Sequence, residues 1–289
     1  MKHVRHIAKI LVRPPSPNLN LGLVSSHMER RPVDAKLAMQ QWVSYVDALQ
    51  RYSKCEVIEV PTADHLPDGV FVEDAAVWIN HHNDEAYASP SPSQRLAIIT
   101  NPGNDARKPE CASVEAALQS AVASSTCMLQ IQRIQAPGTL DGGDVLQLPG
   151  QNTILVGLSA RTNAAGIAQL RALTSFTGVS VQAISVGRVL HLKSGMTALP
   201  GGELIVWGEA FQKRMRLQLP LRHKCTWMPE ESGAHVVLLD DKTVLMAQSA
   251  PKSADILRAR GYTVYTVDIS EFEKLEGCVT CLSIRVRQD

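Results

Sequence analysis

The chain has 289 residues, enough to bury a substantial core in one large domain or two ordinary ones. Apolar residues make up 45% and charged residues 20%, the balance of a folded globular protein and not of a disordered or fibrous one. With 29 basic and 28 acidic residues the formal net charge is +1, so no long-range field attracts polyanions or a lipid surface, and nucleic acid and membrane are excluded as first expectations.

The first ten residues intersperse charged and apolar side chains, unlike the basic-then-apolar order of a signal peptide. No apolar run approaches the ~20 residues of a membrane helix. A soluble, cytoplasmic protein is expected. Cys55, Cys111, Cys127, Cys225, Cys278 and Cys281 are scattered along the chain, so a disulfide framework is not expected and most read as small buried hydrophobes.

Residues 4–13 read as a first strand, stopped by Pro14, Pro15 and Pro17. Residues 14–32 read as a loop, long enough to serve as an active-site lid or as a plain surface excursion. From Val33 to Tyr52 the positions Val33, Leu37, Trp42, Val46 and Leu49 form one stripe of a helix. Cys55 to Val60 reads as a strand, and Val70 to Ile79 as a second, apolar one with Glu73 and Asp74 in its middle. Isolated charges in such a setting cost several kcal/mol. Either the strand breaks there and the acids face a cavity, or they meet a cation or cap a turn.

Leu96 to Thr100 is the next predicted strand, followed by a helix near Pro109 and a strand from Met128 to Ile134. The segment Leu140-Asp141-Gly142-Gly143-Asp144 places paired glycines between carboxylates, which suits either a hairpin turn or the close approach of another group. A strand over residues 154–158 leads to a helix with N-cap candidates between Ser159 and Asn163. Strands are predicted over residues 181–186 and 189–192, the second carrying His191. A lone histidine among apolar neighbours is more often a hydrogen-bonded structural residue than a catalyst.

A strand at Glu203 to Val206, a helix at Phe211 to Leu217 and a hairpin from His235 to Met246 follow. Pro251 to Arg260 reads as a helix and Tyr262 to Val267 as a strand. Ser270 and Glu273 have capping-box spacing. The last strand, from Gly277 to Val286, is predicted to carry both Cys278 and Cys281. Strand, hairpin, helix and strand thus recur at intervals of roughly 50 residues, which suggests a repeat array around a centre. With no linker in sight, residues 1–289 are expected to form one domain.

A thiol attacks as thiolate, an imidazole can carry its proton, and a carboxylate can orient the imidazole. Cys281, His191 and Asp141 supply those parts. Glu73 and Asp74 are left over, and carboxylates raise a neighbouring thiol's pKa unless a cation binds between them. A planar guanidinium suits that role. The Cys278-x-x-Cys281 pair lacks two further ligands for zinc and sits wrongly for a thioredoxin-like motif, so no metal is expected.

The segments Asp68-Gly69-Val70-Phe71-Val72-Glu73-Asp74, Leu140 to Leu146, Gly157 to Asn163, Leu190 to Ser194 and Thr280-Cys281 together resemble the dimethylarginine dimethylaminohydrolase family. The resemblance implies an α/β fold, a five-bladed α/β propeller of pseudo-symmetric ββαβ repeats with the site on its axis. It implies Cys281 as nucleophile, His191 as general acid and base, and Asp141 as the group that orients the histidine. Glu73 and Asp74 are implied around the substrate guanidinium, Asp68 near its α-amino end, and Arg161 and Arg107 at its carboxylate. The reaction implied is hydrolysis of Nω-methylated arginines to citrulline and methylamine or dimethylamine through a Cys281 thiouronium, with no cofactor. A small-molecule substrate and a monomer or homodimer are expected. A hydrolase or deiminase of another guanidine, or a silent regulatory protein on the same fold, is the alternative. Cys278 matches no catalytic position and reads as structural.

Overall fold

The computed structural model describes residues 7–79, 95–122, 128–187, 189–208 and 224–287. Their strands form five three-stranded sheets of one topology. In the first, β1 (Ile7–Val12) is central, parallel to β2 (Glu56–Glu59) and antiparallel to the last strand of the chain, β15 (Ile284–Arg287). The next contains β3 (Ala76–Ile79), β4 (Arg95–Ile99) and β5 (Leu129–Arg133), with Ala76 opposite Ile99 and Ile99 beside Arg133. The third contains β6 (Val145–Gln147), β7 (Thr153–Leu158) and β8 (Ser180–Ser185). The fourth contains β9 (Met196–Ala198), β10 (Leu204–Trp207) and β11 (Cys225–Met228), and the fifth β12 (Val237–Leu238), β13 (Thr243–Ala247) and β14 (Thr263–Val267).

In every sheet the central strand pairs antiparallel with one neighbour and parallel with the other. A parallel neighbour needs a crossover connection. Helices α1 (Ala35–Ser53), α2 (Glu110–Val122), α3 (Ala164–Leu173) and α4 (Pro251–Ala259) supply it in four sheets. The predicted helix at Phe211 to Leu217 lies outside the described residues. This is the ββαβ unit of the expected five-bladed α/β propeller, and β15 completes the sheet that β1 begins.

Local chemistry accounts for these elements. Asp34 caps α1 by accepting from the Lys36 and Leu37 amides, Lys54 ends it in the left-handed region, and Ala38, Trp42, Tyr45, Val46 and Leu49 are its buried stripe. Asn163 caps α3 by accepting from the Gly166 amide. Five apolar clusters fill the spaces between sheets and helices. Among the described residues no helix is long and apolar enough to cross a membrane.

Three predicted elements differ. The strand expected over residues 70–79 breaks into a single 3-10 turn, Val72–Asp74, before β3. That break lets two adjacent acids reach separate cation partners. The strand expected over residues 189–192 is instead a bend leading to a 3-10 turn, Leu192–Ser194, because Asp144 Oδ1 accepts from the Leu192 amide at 2.8 Å. The thiols of Cys278 and Cys281 precede β15 on tight turns, where the Cys281 amide donates to the Cys278 carbonyl at 3.0 Å. The capping box is also absent: Ser270 Oγ accepts from Gln41 Nε2, while Glu273 accepts from Ser232 and Ser249.

A regularity emerges from those breaks. The strands β3, β6, β9 and β12 are each preceded by a 3-10 turn, at Val72–Asp74, Gly142–Asp144, Leu192–Ser194 and Glu231–Ala234, and β15 follows the cysteine turns. The four 3-10 turns pack against one another in chain order.

Candidate active site

The cysteine turn and three of the 3-10 turns bring together the groups singled out in the sequence. Cys281, His191, Asp74, Asp68, Arg107 and Arg161 line one small cavity, with Leu23, Leu275 and Glu276 at its rim. Asp141 is fully buried behind it, with Oδ2 3.0 Å from His191 Nε2 and Oδ1 accepting from the Gly103 amide at 2.8 Å.

Paired glycines are required here by close approach. A Cβ on Gly142 would collide with the Glu73 carbonyl oxygen. A Cβ on Gly143 would stand 2.7 Å from both Asp74 Oδ1 and His191 Nδ1, and the Gly143 amide donates to Asp74 Oδ1 at 2.8 Å. The Gly-Gly motif therefore lets the Asp141 turn, Asp74 and the imidazole share one space.

Asp74 and His191 form the charged centre of the site. Burial alone would lower the His191 pKa, but Asp74, the hydrogen bond to Asp141 and the charge of Asp144 outweigh it and raise it to about 9. His191 is thus an imidazolium at neutral pH. Burial would raise Asp74, yet His191 and Arg107 hold its carboxyl well below the usual range. The Cys281 thiol is pushed well up, first by its hydrogen bond with Cys278, then by burial and the charges of Cys278, Glu73 and Asp74.

Ligand atoms of Asp74, Asp141 and His191 lie within 4.8 Å of one another. Arg107 Nη1 sits 2.5 Å from Asp74 Oδ2, and Arg161 Nη1 lies 3.6 Å from Asp141 Oδ2. Two guanidinium groups and a protonated imidazole among these oxygens suit a hydrogen-bond relay better than a cation cage.

The predicted binding residues divide. Arg161 reaches the cavity and its buried Nη1 lacks a hydrogen-bond partner among the described residues. Arg107 is committed to the protein: Nε and Nη2 donate to the two oxygens of Glu110 at 3.0 and 2.7 Å, Nη1 to Asp74, and Nη2 also to the Phe71 carbonyl. Asp68 lines the cavity while both its oxygens accept from the Leu23 amide at 2.9 and 3.1 Å. Glu73 is not at this cavity. Its Oε1 pairs with Lys193 Nζ and Arg285 Nη2, each at 2.6 Å, and it lines a second cavity of about 170 Å³ on the far side of the turns. The backbone explains the split, since Glu73 and Asp74 are successive residues of one tight turn.

Sequence reasoning passed over several contributors. Glu110 has no motif, and Lys193 and Arg285 receive no role from the sequence reading. Asp144 holds two blades together, accepting from the Leu192 amide and from Ser159 Oγ at 2.6 Å. The lid candidate is tied down over the cavity: Ser25 donates from its amide and hydroxyl to Glu276 at 2.6 and 2.7 Å, and Glu276 adopts a left-handed φ of 58°. A positive φ on a residue before Gly277 left no mark in the sequence.

A thiol, an imidazolium and buried carboxylates gathered on the turns of five three-stranded sheets of one topology define the class: an enzyme of the guanidino-group-modifying propeller type. No protein-family model matches the chain. It is 48% identical over 280 residues, 97% of each chain, to the N(G),N(G)-dimethylarginine dimethylaminohydrolase of Streptomyces coelicolor. A solved dimethylarginine dimethylaminohydrolase, a histidine-to-glycine variant in adduct with S-methyl-L-thiocitrulline, superposes with a TM-score of 0.81 at 29% identity, over 97% of this chain and 100% of that one. The Pseudomonas aeruginosa enzyme, a cysteine-to-serine mutant complexed with citrulline, gives 0.80 at 30% identity with the same coverage. The chain belongs to the dimethylarginine dimethylaminohydrolase family.

Proposed function

We propose that the protein hydrolyses Nω-methylated arginines to citrulline and methylamine or dimethylamine, with Cys281 as nucleophile, His191 as proton carrier and Asp141 as the group that orients His191. The observation that carries this reading is the shared cavity of Cys281, His191, Asp74 and Arg161. Family membership and the citrulline bound to the Pseudomonas relative support it.

The charges suggest how the reaction is started. With its pKa raised, Cys281 rests as a thiol; when a substrate cation lies between it and Asp74 it gives its proton to solvent and becomes a thiolate. The thiolate attacks the guanidinium carbon. The bond from that carbon to the methylated nitrogen breaks, His191 gives its proton to the leaving amine, and an S-alkylthiouronium remains on Cys281. Neutral His191 then takes a proton from water, the hydroxide adds to the same carbon, and the thiolate departs to leave citrulline.

Arg161, whose Nη1 makes no hydrogen bond among the described residues, is assigned to the substrate carboxylate, and Asp68 to the α-amino end. Arg107 acts through Asp74, which it holds ionised, with Glu110 fixing its fork. Glu73 is assigned to the floor beneath the thiol: its amide donates to the Cys281 carbonyl at 3.2 Å. The cavity is only about 20 Å³, room for about one water. Substrate therefore enters when the Leu23 and Glu276 rim shifts, as a lid does. Because β15 completes the sheet of β1, residues 1–289 are taken to act as one domain. The test is citrulline release from asymmetric dimethylarginine by the intact protein and its loss in Cys281→Ser; ordinary turnover by that variant would refute the mechanism.

A further inference from the structure

Cys278 is the one buried thiol beside the site that the proposed reaction leaves unused. Its Sγ lies 3.1 Å from Cys281 Sγ, closer than the roughly 4 Å at which unbonded apolar side chains pack. Its other polar contact is Thr280 Oγ1 at 3.2 Å. By contrast, Cys55 bonds to Ser53, and Cys111 to Thr100.

The backbone between the two thiols is already in the right form. The Cys281 amide donates to the Cys278 carbonyl at 3.0 Å, so the pair are the first and last residues of a tight turn with Cα atoms under about 7 Å apart. Disulfides span Cα separations of about 4.4 to 6.8 Å, with sulfurs bonded at about 2.05 Å. An approach of roughly 1 Å, within reach of side-chain rotation, would form the bond. Phe71, Phe272, Leu275, Val279 and Leu282 belong to the same apolar cluster as both thiols, and of the two thiols only Cys281 lines the substrate cavity. Among the described residues no third His, Cys, Asp or Glu joins them as a metal site would require.

We infer that Cys278 and Cys281 form a reversible oxidation site, in which a peroxide reaching the substrate cavity converts the two thiols to a disulfide and caps Cys281. The Cys281 sulfur attacks one peroxide oxygen, the O–O bond breaks, and the departing oxygen takes the thiol proton, giving a sulfenic acid and one water. Cys278 then attacks the Cys281 sulfur, the S–O bond breaks, and the hydroxyl leaves as a second water with the Cys278 proton. Two thiols are oxidised and one peroxide is reduced to two waters. A small dithiol reverses the bond by exchange. Cys278 thereby protects Cys281 from the irreversible sulfinic and sulfonic states. The expected loss of turnover rests on Cys281 being the nucleophile; formation of the disulfide does not.

The test treats the intact protein with hydrogen peroxide, blocks residual thiols and maps the tryptic peptide Leu275 to Arg285, which holds both cysteines. The expected product is that peptide lighter by two hydrogens, unalkylated, and restored by dithiothreitol together with citrulline production. After the same exposure Cys278→Ser should recover at least roughly tenfold less of its own starting activity than the parent recovers of its own, because Cys281 passes to the sulfinic state. Cys278→Ala, checked by circular dichroism, replaces it if the serine variant fails to fold. A parent peptide that gains oxygen at Cys281 instead of losing hydrogen, or equal recovery in parent and variant, overturns the inference. A disulfide that forms in a protein without dimethylarginine turnover would instead refute the proposed activity and leave the oxidation site standing.

Discussion

Asp141 Oδ2 lies 3.0 Å from His191 Nε2, while the other ring nitrogen, Nδ1, lies 3.9 Å from Asp74 Oδ1. The imidazole is therefore held between two carboxylates, and only Asp141 is within hydrogen-bond distance. Asp141 in turn is fixed by the Gly103 amide, so the ring orientation is set by backbone from a neighbouring turn.

Replacing Asp141 by Asn keeps the shape and removes the charge. Turnover by Asp141→Asn should fall by about 10² or more, and thermal stability at neutral pH should fall as the His191 pKa falls. The His191 resonance, followed by NMR, should titrate below the parent's value of about 9. An unchanged His191 titration in the variant would show that Asp141 does not set the state of the ring.

The raised His191 pKa also makes stability depend on pH. Its value climbs from 6.5 to about 9 on folding, so the folded state binds the proton more tightly than the unfolded chain. This contribution is complete below about pH 6.5, declines as pH rises and is gone above about pH 9. The melting temperature should fall across that window, and the fall should shrink in His191→Gln. Parallel curves for the two proteins would contradict the assignment.

Gly143 tests the crowding at the centre. A Cβ there stands 2.7 Å from His191 Nδ1 and Asp74 Oδ1, so Gly143→Ala must displace the ring or the acid. A misplacement near 1 Å can cost about 10² in rate. Loss of kcat of that order, in a protein that still folds cooperatively, is expected; near-parent kcat would mean the ring tolerates the shift.

The motif Glu73-Asp74 shows what sequence could and could not supply. Two acids in an apolar run left open a break facing a cavity, a cation partner or a turn cap; the structure has both the break and the cations. Which acid faces which cavity depends on the handedness of one 3-10 turn and on Lys193 and Arg285, which come from two other sheets. The spacing of Asp141, His191 and Cys281 likewise exposed the repeat, because each lies on a turn just ahead of an edge strand, β6, β9 or β15. Glu110 stayed hidden because its partner Arg107, three residues before it, gains a role only by reaching Asp74 in another turn, and Glu276 because its role rests on a distant contact with Ser25 and on a left-handed backbone that no side-chain pattern encodes.

Glu73 makes the consequence of that split measurable. Its carboxylate balances two buried cations, so Glu73→Gln leaves both Lys193 and Arg285 without their counter-charge. A destabilisation of about 3 kcal/mol is expected in denaturant unfolding, larger than the effect on KM expressed in the same unit. The reverse, a raised KM with parent stability, would return Glu73 to the substrate side.

The central claim is that Cys281 forms a bond to the guanidinium carbon. Mass spectrometry of a turnover mixture quenched in acid, with the peptide Leu275 to Arg285 isolated, examines this directly. The account predicts a thiouronium adduct of the methylarginine carbon skeleton on Cys281, present during turnover, absent once substrate is exhausted and absent in Cys281→Ser. Citrulline accumulating with no adduct under any quench, or with the adduct on another residue, would contradict it.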